Sequence, residues 1–137
     1  MGAAVRSITF DCHDPATLAR FWSAVTGGRP ADGPQGEQWS SVRLPDDHHP
    51  RTLTFIRVPE SRTVKNRVHL DLQADTTLDE EIARITRLGA TVLDDIRGPL
   101  GIGFAVLADP EGNEFCVESS HAEITAARSR PTPPPGG

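Results

Sequence analysis

The residues best equipped for chemistry lie in two short stretches, "VHLDLQ" and "EFCVE". In an extended chain successive side chains alternate between faces. His69, Asp71 and Gln73 therefore share one face of a strand, and Glu114, Cys116 and Glu118 share one face of another. Histidine titrates near neutrality, so His69 is the natural candidate for moving a proton, with Asp71 or Glu118 to orient it. The same residues raise the question of a metal. A hard ion such as Mg²⁺ or Mn²⁺ wants carboxylates, and a thiolate is a poor substitute. Zn²⁺ accepts His69 and Cys116, but a protein site normally supplies at least three ligands. The count goes against a metal, with Asp71, Glu114 and Glu118 as the carboxylates that would have to rescue it.

A second group stands in "WSSVRL". Trp39, Ser41 and Arg43 share a face, and Val42 and Leu44 take the other. An aromatic wall beside a guanidinium suits a planar or anionic small molecule. The bland alternative is a tryptophan covering the domain edge, and the sequence holds both open. The other histidines carry less. Adjacent side chains on an extended segment point in opposite directions, so His48 and His49 in "PDDHHPR" do not chelate as a pair and read as a solvated loop. His13 precedes a helix cap, and His121 lies near the frayed end. "GPLGIGF" precedes a strand rather than a helix, so it is a loop beside a cleft and not a phosphate cradle. No GxSxG nucleophile elbow is present.

The elements that must position these residues are written twice. "VRSITFDC" alternates, with Ile8, Phe10 and Cys12 on one face and Ser7, Thr9 and Asp11 on the other. "HDPATLARFWSAVTGG" then reads as a helix, capped by Asp14, opened by Pro15 and closed by Gly27. Leu18, Phe21, Trp22 and Val25 form its buried stripe. Later "RVHLDLQAD" alternates again, and "TTLDEEIARITRLGA" supplies a second helix, with Thr77 and Glu80 spaced as a capping box. Asp14 and Asp75 are 61 positions apart, as are Gly28 and Gly89. Strand candidates follow each helix: "QWSSVRL" and "TLTFIRV" in the first half, "ATVLDDI", "GFAVLA" and "EFCVES" in the second. Each half reads β-α-β-β-β. The expected fold class is α+β, tandem modules forming a curled mixed sheet around a cleft. The domain spans 1–122, with a first module at 4–58, a linker at 59–67 and a second module at 68–122. The Pro/Gly-rich residues 123–137 read as a disordered tail.

Composition narrows the partners. The chain has 137 residues and a formal net charge of -5, which argues against nucleic acid as the main partner. No apolar run approaches the ~20 residues needed to cross a bilayer, and the start lacks a secretory signal pattern. Two cysteines without CxxC spacing read as buried thiols in a reducing cytoplasm.

Taken together, the doubled plan with "DPATLARFW", "VHLDLQ", "RLGATVL" and "DPEGNEFCV" resembles the vicinal oxygen chelate superfamily, in its glyoxalase-like, bleomycin-resistance-type branch. The resemblance covers Val5 to Ser119. It implies two half-sheets around a cleft, often with dimer formation. In metal-using members of that family the ion is held by one side chain from the first strand and one from the last strand of each half, usually His, Glu or Gln. Carried over, His69 matches, Cys116 stands where Glu is expected, Ser7 takes the first-strand position, or Ile8 if the one-residue slack falls elsewhere, and the last falls among Thr54, Phe55 and Ile56. One position of four holds a usual ligand.

The resemblance thus implies a protein that binds a small organic molecule in the inter-module cleft without a metal, sequestering a toxic or antibiotic compound. The expected contacts are Ser7, Trp39, Arg43, His69, Cys116 and Glu118. The alternatives are a metal-free lyase, isomerase or hydrolase using His69 and Asp71, a metal-dependent lyase or dioxygenase, and a regulatory module with a vestigial pocket. A homodimer is open, either with one cleft closed inside each chain or with halves exchanged between chains.

Overall fold

The computed structural model describes residues 2–33, 35–131 and 135–136. Strand β1 (Ser7–Cys12) is followed by helix α1 (Pro15–Thr26), then β2 (Arg29–Pro30), β3 (Trp39–Arg43) and β4 (Thr52–Arg57). These strands form one sheet in the order β1-β4-β3-β2, with β1 parallel to β4. The second half repeats the plan: β5 (Asp71–Gln73), α2 (Leu78–Arg87), β6 (Thr91–Arg97), β7 (Gly103–Ala108) and β8 (Glu114–Glu118), in the order β5-β8-β7-β6. Matching orders with one parallel pair each are what a duplicated β-α-β-β-β unit produces. The strands hydrogen-bond as two four-stranded sheets, and no ladder joins one sheet to the other among the described residues.

Local chemistry explains the elements. The Asp14 side chain accepts the Thr17 N–H at 3.1 Å, Pro15 occupies the first turn, and Gly27 closes α1 at φ 74°. The Thr77 hydroxyl accepts the Glu80 N–H at 3.2 Å to start α2. Two features differ from the sequence reading. The second module's first strand begins at Asp71 rather than Val68: its ladder to β8 opens with Asp71 opposite Cys116, and the Cys116 N–H donates to the Leu70 carbonyl just before it at 2.9 Å. A third helix, α3 (His121–Arg128), occupies the start of the stretch read as tail. Its cause is a reciprocal cap: Ser120 Oγ accepts the Glu123 N–H at 3.2 Å, and Glu123 Oε2 accepts the Ser120 N–H at 2.8 Å. Glu123 Oε2 also accepts the Leu78 N–H, tying α3 to the start of α2. The tail expectation for 132–134 and 137 lies outside the described residues.

One hydrophobic core serves both modules. Trp22 is 0% exposed and sits at its centre. Its ring lies 6.0 Å from Phe10 of the first sheet and 4.9 Å from Phe115 of the second, with Phe21 beside it at 5.3 Å. Polar contacts lock the same seam. Trp22 Nε1 donates to Asp109 Oδ2 at 3.2 Å, and the Glu111 carboxylate accepts the His13 and Asp14 N–H groups at 2.6 and 2.8 Å. From the other side Arg84 donates to the Ala24 and Val25 carbonyls at the end of α1, both at 2.9 Å. The turn of "DPEGNEFCV" therefore docks the second module onto the first helix.

This packing sets the orientation of everything functional. The helix-side faces of both sheets, with Phe10, Leu53 and Phe55 on one and Leu107, Phe115 and Val117 on the other, turn toward the shared core. The opposite faces consequently point away from it.

Candidate functional site

On the open face of the second sheet, strand register brings the chemistry together. Asp71 lies opposite Cys116, and Gln73 opposite Glu118. His69, two residues before the start of β5, turns its Nδ1 to within 3.3 Å of Asp71 Oδ1. One donor atom each from His69, Asp71 and Cys116 falls within 4.8 Å of the other two. His69 and Asp71 are exposed and Cys116 is partly buried. Across the sheet, Cys116 pairs with Val106, and Glu118 with Phe104, which in turn faces Ile96. The face is therefore polar along β5 and β8, apolar along β7, and mixed along β6, where Asp94 lies opposite Val106. The alternation of "GFAVLA" carries that apolar half, a signal the sequence reading passed over.

Burial pushes the Cys116 thiol up, helped by the Asp71 charge, a hydrogen bond to Asp71 and the Glu118 charge. The thiol is neutral at neutral pH and is not an activated nucleophile. Cys12 differs in degree. Burial and then the Glu111, Asp109, Asp14 and Asp11 carboxylates push it up to about 12 from 9.0. A folded pKa above the unfolded one means this thiol's contribution to stability is complete below pH 9.0 and is lost as pH rises toward about 12. Urea midpoints of the native chain and Cys12→Ser are accordingly expected to converge on going from pH 8 to pH 11, and parallel pH profiles would contradict this.

The open face of the first sheet carries the other candidates. Trp39 Nε1 donates to Ser41 Oγ at 3.0 Å, Ser41 Oγ donates to Thr54 Oγ1 at 3.2 Å, and Thr54 Oγ1 meets Ser7 Oγ at 2.9 Å. Ser7 is thus tied into a hydroxyl chain across three strands. Trp39 is 48% exposed and lies on this face with its indole N–H turned inward, opposite Ile56. Arg43 lies opposite Thr52, and its guanidinium makes no hydrogen bond or ion pair among the described residues. Thr54 is a member that sequence placed only at the last-strand position and did not connect to Ser7.

The candidates therefore form two sets. His69, Asp71 and Cys116 stand together, with Glu118 one pair further along; Ser7, Trp39 and Arg43 stand on the other sheet. Of the candidates, His69 lines one surface cavity and Asp71 another, and neither of these two cavities is lined by Ser7, Trp39 or Arg43.

Comparison with known structures now gives the class. A glyoxalase/bleomycin resistance protein/dioxygenase family enzyme from Burkholderia phytofirmans PsJN matches with a TM-score of 0.67 at 19% identity, over 84% of this chain and 97% of that one. A fosfomycin resistance protein from Listeria monocytogenes, complexed with Mn(II) and 1S,2S-dihydroxypropylphosphonic acid, matches at 0.66 and 15% identity, over 95% and 100%. A lactoylglutathione lyase from Agrobacterium tumefaciens matches at 0.58 and 20% identity, over 90% and 96%. Identities this low speak for the fold alone. The fold is that of the vicinal oxygen chelate superfamily. The family model for the glyoxalase-like domain matches residues 7–118, and the chain belongs to that family. No curated protein matches.

Metal use in this fold class calls for a test of the donors present here. The trio mixes an imidazole, a carboxylate and a thiol, a poor match to a hard ion such as Mn²⁺. Zn²⁺ accepts an imidazole, a carboxylate and a thiolate, and the three donor atoms here lie within 4.8 Å of one another. Ser7 is bound to Thr54 on the other sheet. The residues do not fit a resident hard ion.

Proposed function

We propose that the protein binds a small organic molecule between the open face of a first module and the open face of a second module, without a resident metal, and thereby sequesters a toxic or antibiotic compound. The observation that carries this reading is the pair of equipped but separate faces, one with Trp39 and an unpartnered Arg43, the other with His69, Cys116 and Glu118. In this reading the cleft is completed by a second copy of the chain. Apolar side chains on the second sheet support this: Leu93 and Ile96 remain 53% and 47% exposed. The two free thiols, Cys12 and Cys116, support a reducing compartment such as the cytoplasm. No helix among the described residues is long and apolar enough to cross a membrane.

A thermal-shift panel of planar and anionic compounds, including fosfomycin and bleomycin, tests the reading. At least one compound should raise the melting temperature by several degrees without being converted. Arg43→Ala should weaken its binding by roughly 10-fold to 100-fold in calorimetry, the usual cost of losing an anchoring guanidinium. A panel without response at millimolar concentration would overturn it. Elemental analysis of the purified protein should find divalent metal far below one equivalent, and a stoichiometric ion would revive a metal-dependent lyase or dioxygenase.

The His69–Asp71 contact favours a second reading, a metal-free lyase, isomerase or hydrolase. Asp71 on Nδ1 would leave Nε2 of His69 free to exchange a proton with substrate. His69→Gln would then lower turnover by ~100-fold or more with unchanged melting temperature, and would remove the histidine limb of the pH–rate profile.

A further inference from the structure

The strand order of the first sheet, β1-β4-β3-β2, sets one row of side chains across all four strands. Register places Ser7 opposite Thr52, Thr52 opposite Arg43, and Arg43 opposite Arg29. Residues directly opposite each other share a face. This face is the open one, because the adjacent row is Ile8, Leu53, Val42 and Pro30, in which Leu53 and Val42 belong to the core. Gly28 secures the last step of the row. A Cβ there would meet Val42 Cγ1 at 2.7 Å and the Arg43 carbonyl at 2.8 Å, so a side chain would push β2 off β3. Two guanidiniums are thereby carried on facing positions, with Cβ atoms roughly 5 Å apart, an arrangement that destabilises a sheet when nothing neutralises it. Arg29 is exposed, Arg43 is half-buried, and neither has a carboxylate within ion-pair distance among the described residues. Asp11, the carboxylate on this face of the ladder, stands opposite Ile56, four residues and ~13 Å along β1 from Ser7. The hairpin carboxylates nearby are drawn elsewhere: Asp46 pairs with Arg51, and Asp47 lines a cavity with Val25 of α1, on the helix side. The Thr52 hydroxyl is also without a hydrogen bond among the described residues, whereas Thr54 is bonded to both Ser7 and Ser41.

We infer that Arg29, Arg43 and Thr52 form the anion-holding end of the first-module face, and that its ligand carries a doubly charged tetrahedral oxyanion of the phosphate or phosphonate class. This rests on the small-molecule reading above and names the chemistry of its ligand. A singly charged group such as a carboxylate neutralises one guanidinium and leaves the other facing it. A dianion neutralises both and offers an oxygen to each guanidinium and a third to the Thr52 hydroxyl. Trp39 stands on the same face of β3, four residues and ~13 Å from Arg43. The ring wall and the oxyanion site therefore serve the two ends of one elongated molecule, with Ser41 between them already bonded to Trp39 and Thr54. Arg29 escaped the sequence reading because a two-residue strand shows no alternation.

The Nε–H signals of Arg29 and Arg43 in a ¹H–¹⁵N spectrum, assigned with Arg29→Gln and Arg43→Gln, read the site directly. Inorganic phosphate and methylphosphonate, at fixed ionic strength and a mildly alkaline pH that leaves both doubly charged, are expected to move both signals in a saturable way. Acetate and methanesulfonate carry one charge and should bind roughly 10-fold more weakly or worse, the worth of one charge-assisted hydrogen bond. Arg29→Gln should weaken phosphate by a similar factor and bring it level with acetate, and Thr52→Val should weaken it about three- to ten-fold. In phosphate-free buffer Arg29→Gln should melt at or slightly above the native temperature, because one of two facing like charges is gone. Melting several degrees lower would assign Arg29 a structural role and overturn the inference. Equal shifts with all four anions, the mark of general screening, would do the same, as would a folded Arg29→Gln with full phosphate affinity. Binding of phosphate without methylphosphonate would make this a site for the free ion and defeat the ligand class. The larger reading fails separately. Phosphate saturating the arginine pair while no compound of the thermal-shift panel binds would keep the anion site and remove the sequestering role. A panel compound that binds Arg29→Gln as well as the native chain would keep that role and remove this inference.

Discussion

Trp22→Ala is expected to lower the unfolding free energy by about 3–5 kcal/mol, the range for deleting a large buried aromatic side chain. Three losses combine at this position. The indole is fully buried, so its removal opens a cavity that Phe10, Phe21 and Phe115 are too tightly held by their own elements to fill. Its ring contacts cross from one module to the other, so the shared core is interrupted at its middle. Its Nε1–H also donates to the buried Asp109 carboxylate, which otherwise relies on the Glu111 N–H at 2.9 Å, the Asn113 N–H at 3.0 Å and Asn113 Nδ2 at 2.9 Å. Trp22→Phe separates the parts: it keeps most of the apolar contact and loses the donor, at an expected ~1–2 kcal/mol. Urea unfolding followed by far-ultraviolet circular dichroism measures both. A loss below about 1 kcal/mol for the alanine variant would mean that the modules do not depend on this seam.

Much of this arrangement was legible because strand and helix periods report faces. The two-residue period of "VHLDLQ" and "EFCVE" placed His69, Asp71, Cys116 and Glu118 on their faces, and the stripe of α1 placed Leu18, Phe21, Trp22 and Val25 in the core. Periods do not report what a face meets. Nothing in the spacing of Phe21 and Trp22 says that their far side touches Phe115, or that Glu111 and Arg84 secure opposite ends of α1. That docking is a tertiary choice with no local signature. Helix α3 is a different case. Its S-x-x-E cap, Ser120 to Glu123, was present in the sequence, but the prolines that follow drew the whole segment into the tail. The two-residue β2 is too short for any alternation to show.

Under the proposed two-copy cleft, mixing two disabled variants is expected to restore binding, because each cleft then takes its two walls from different chains. Arg43→Ala removes the guanidinium from the first-module wall, and His69→Ala removes the imidazole from the second-module wall; each alone should lose most affinity for a ligand found in the panel. If halves are exchanged in a two-fold dimer, a heterodimer of these variants has one cleft with both defects and one with neither. Refolding an equimolar mixture should make half of the dimers mixed, so about a quarter of the native number of sites returns. A cleft closed inside one chain would return none. The physical grounds lie in the edges as well as the faces. β1 and β5 are both edge strands, and their outer backbone groups are open to pairing between copies. A stable dimer must bury roughly 1,200–2,000 Å² in total, and Trp39, Leu93 and Ile96 are exposed apolar side chains available to contribute. Sedimentation of the mixture reads assembly independently of binding. Dimers that form normally yet regain no sites would put both walls in one chain and defeat the exchange, and a native chain that sediments as a monomer would do so before any mixing.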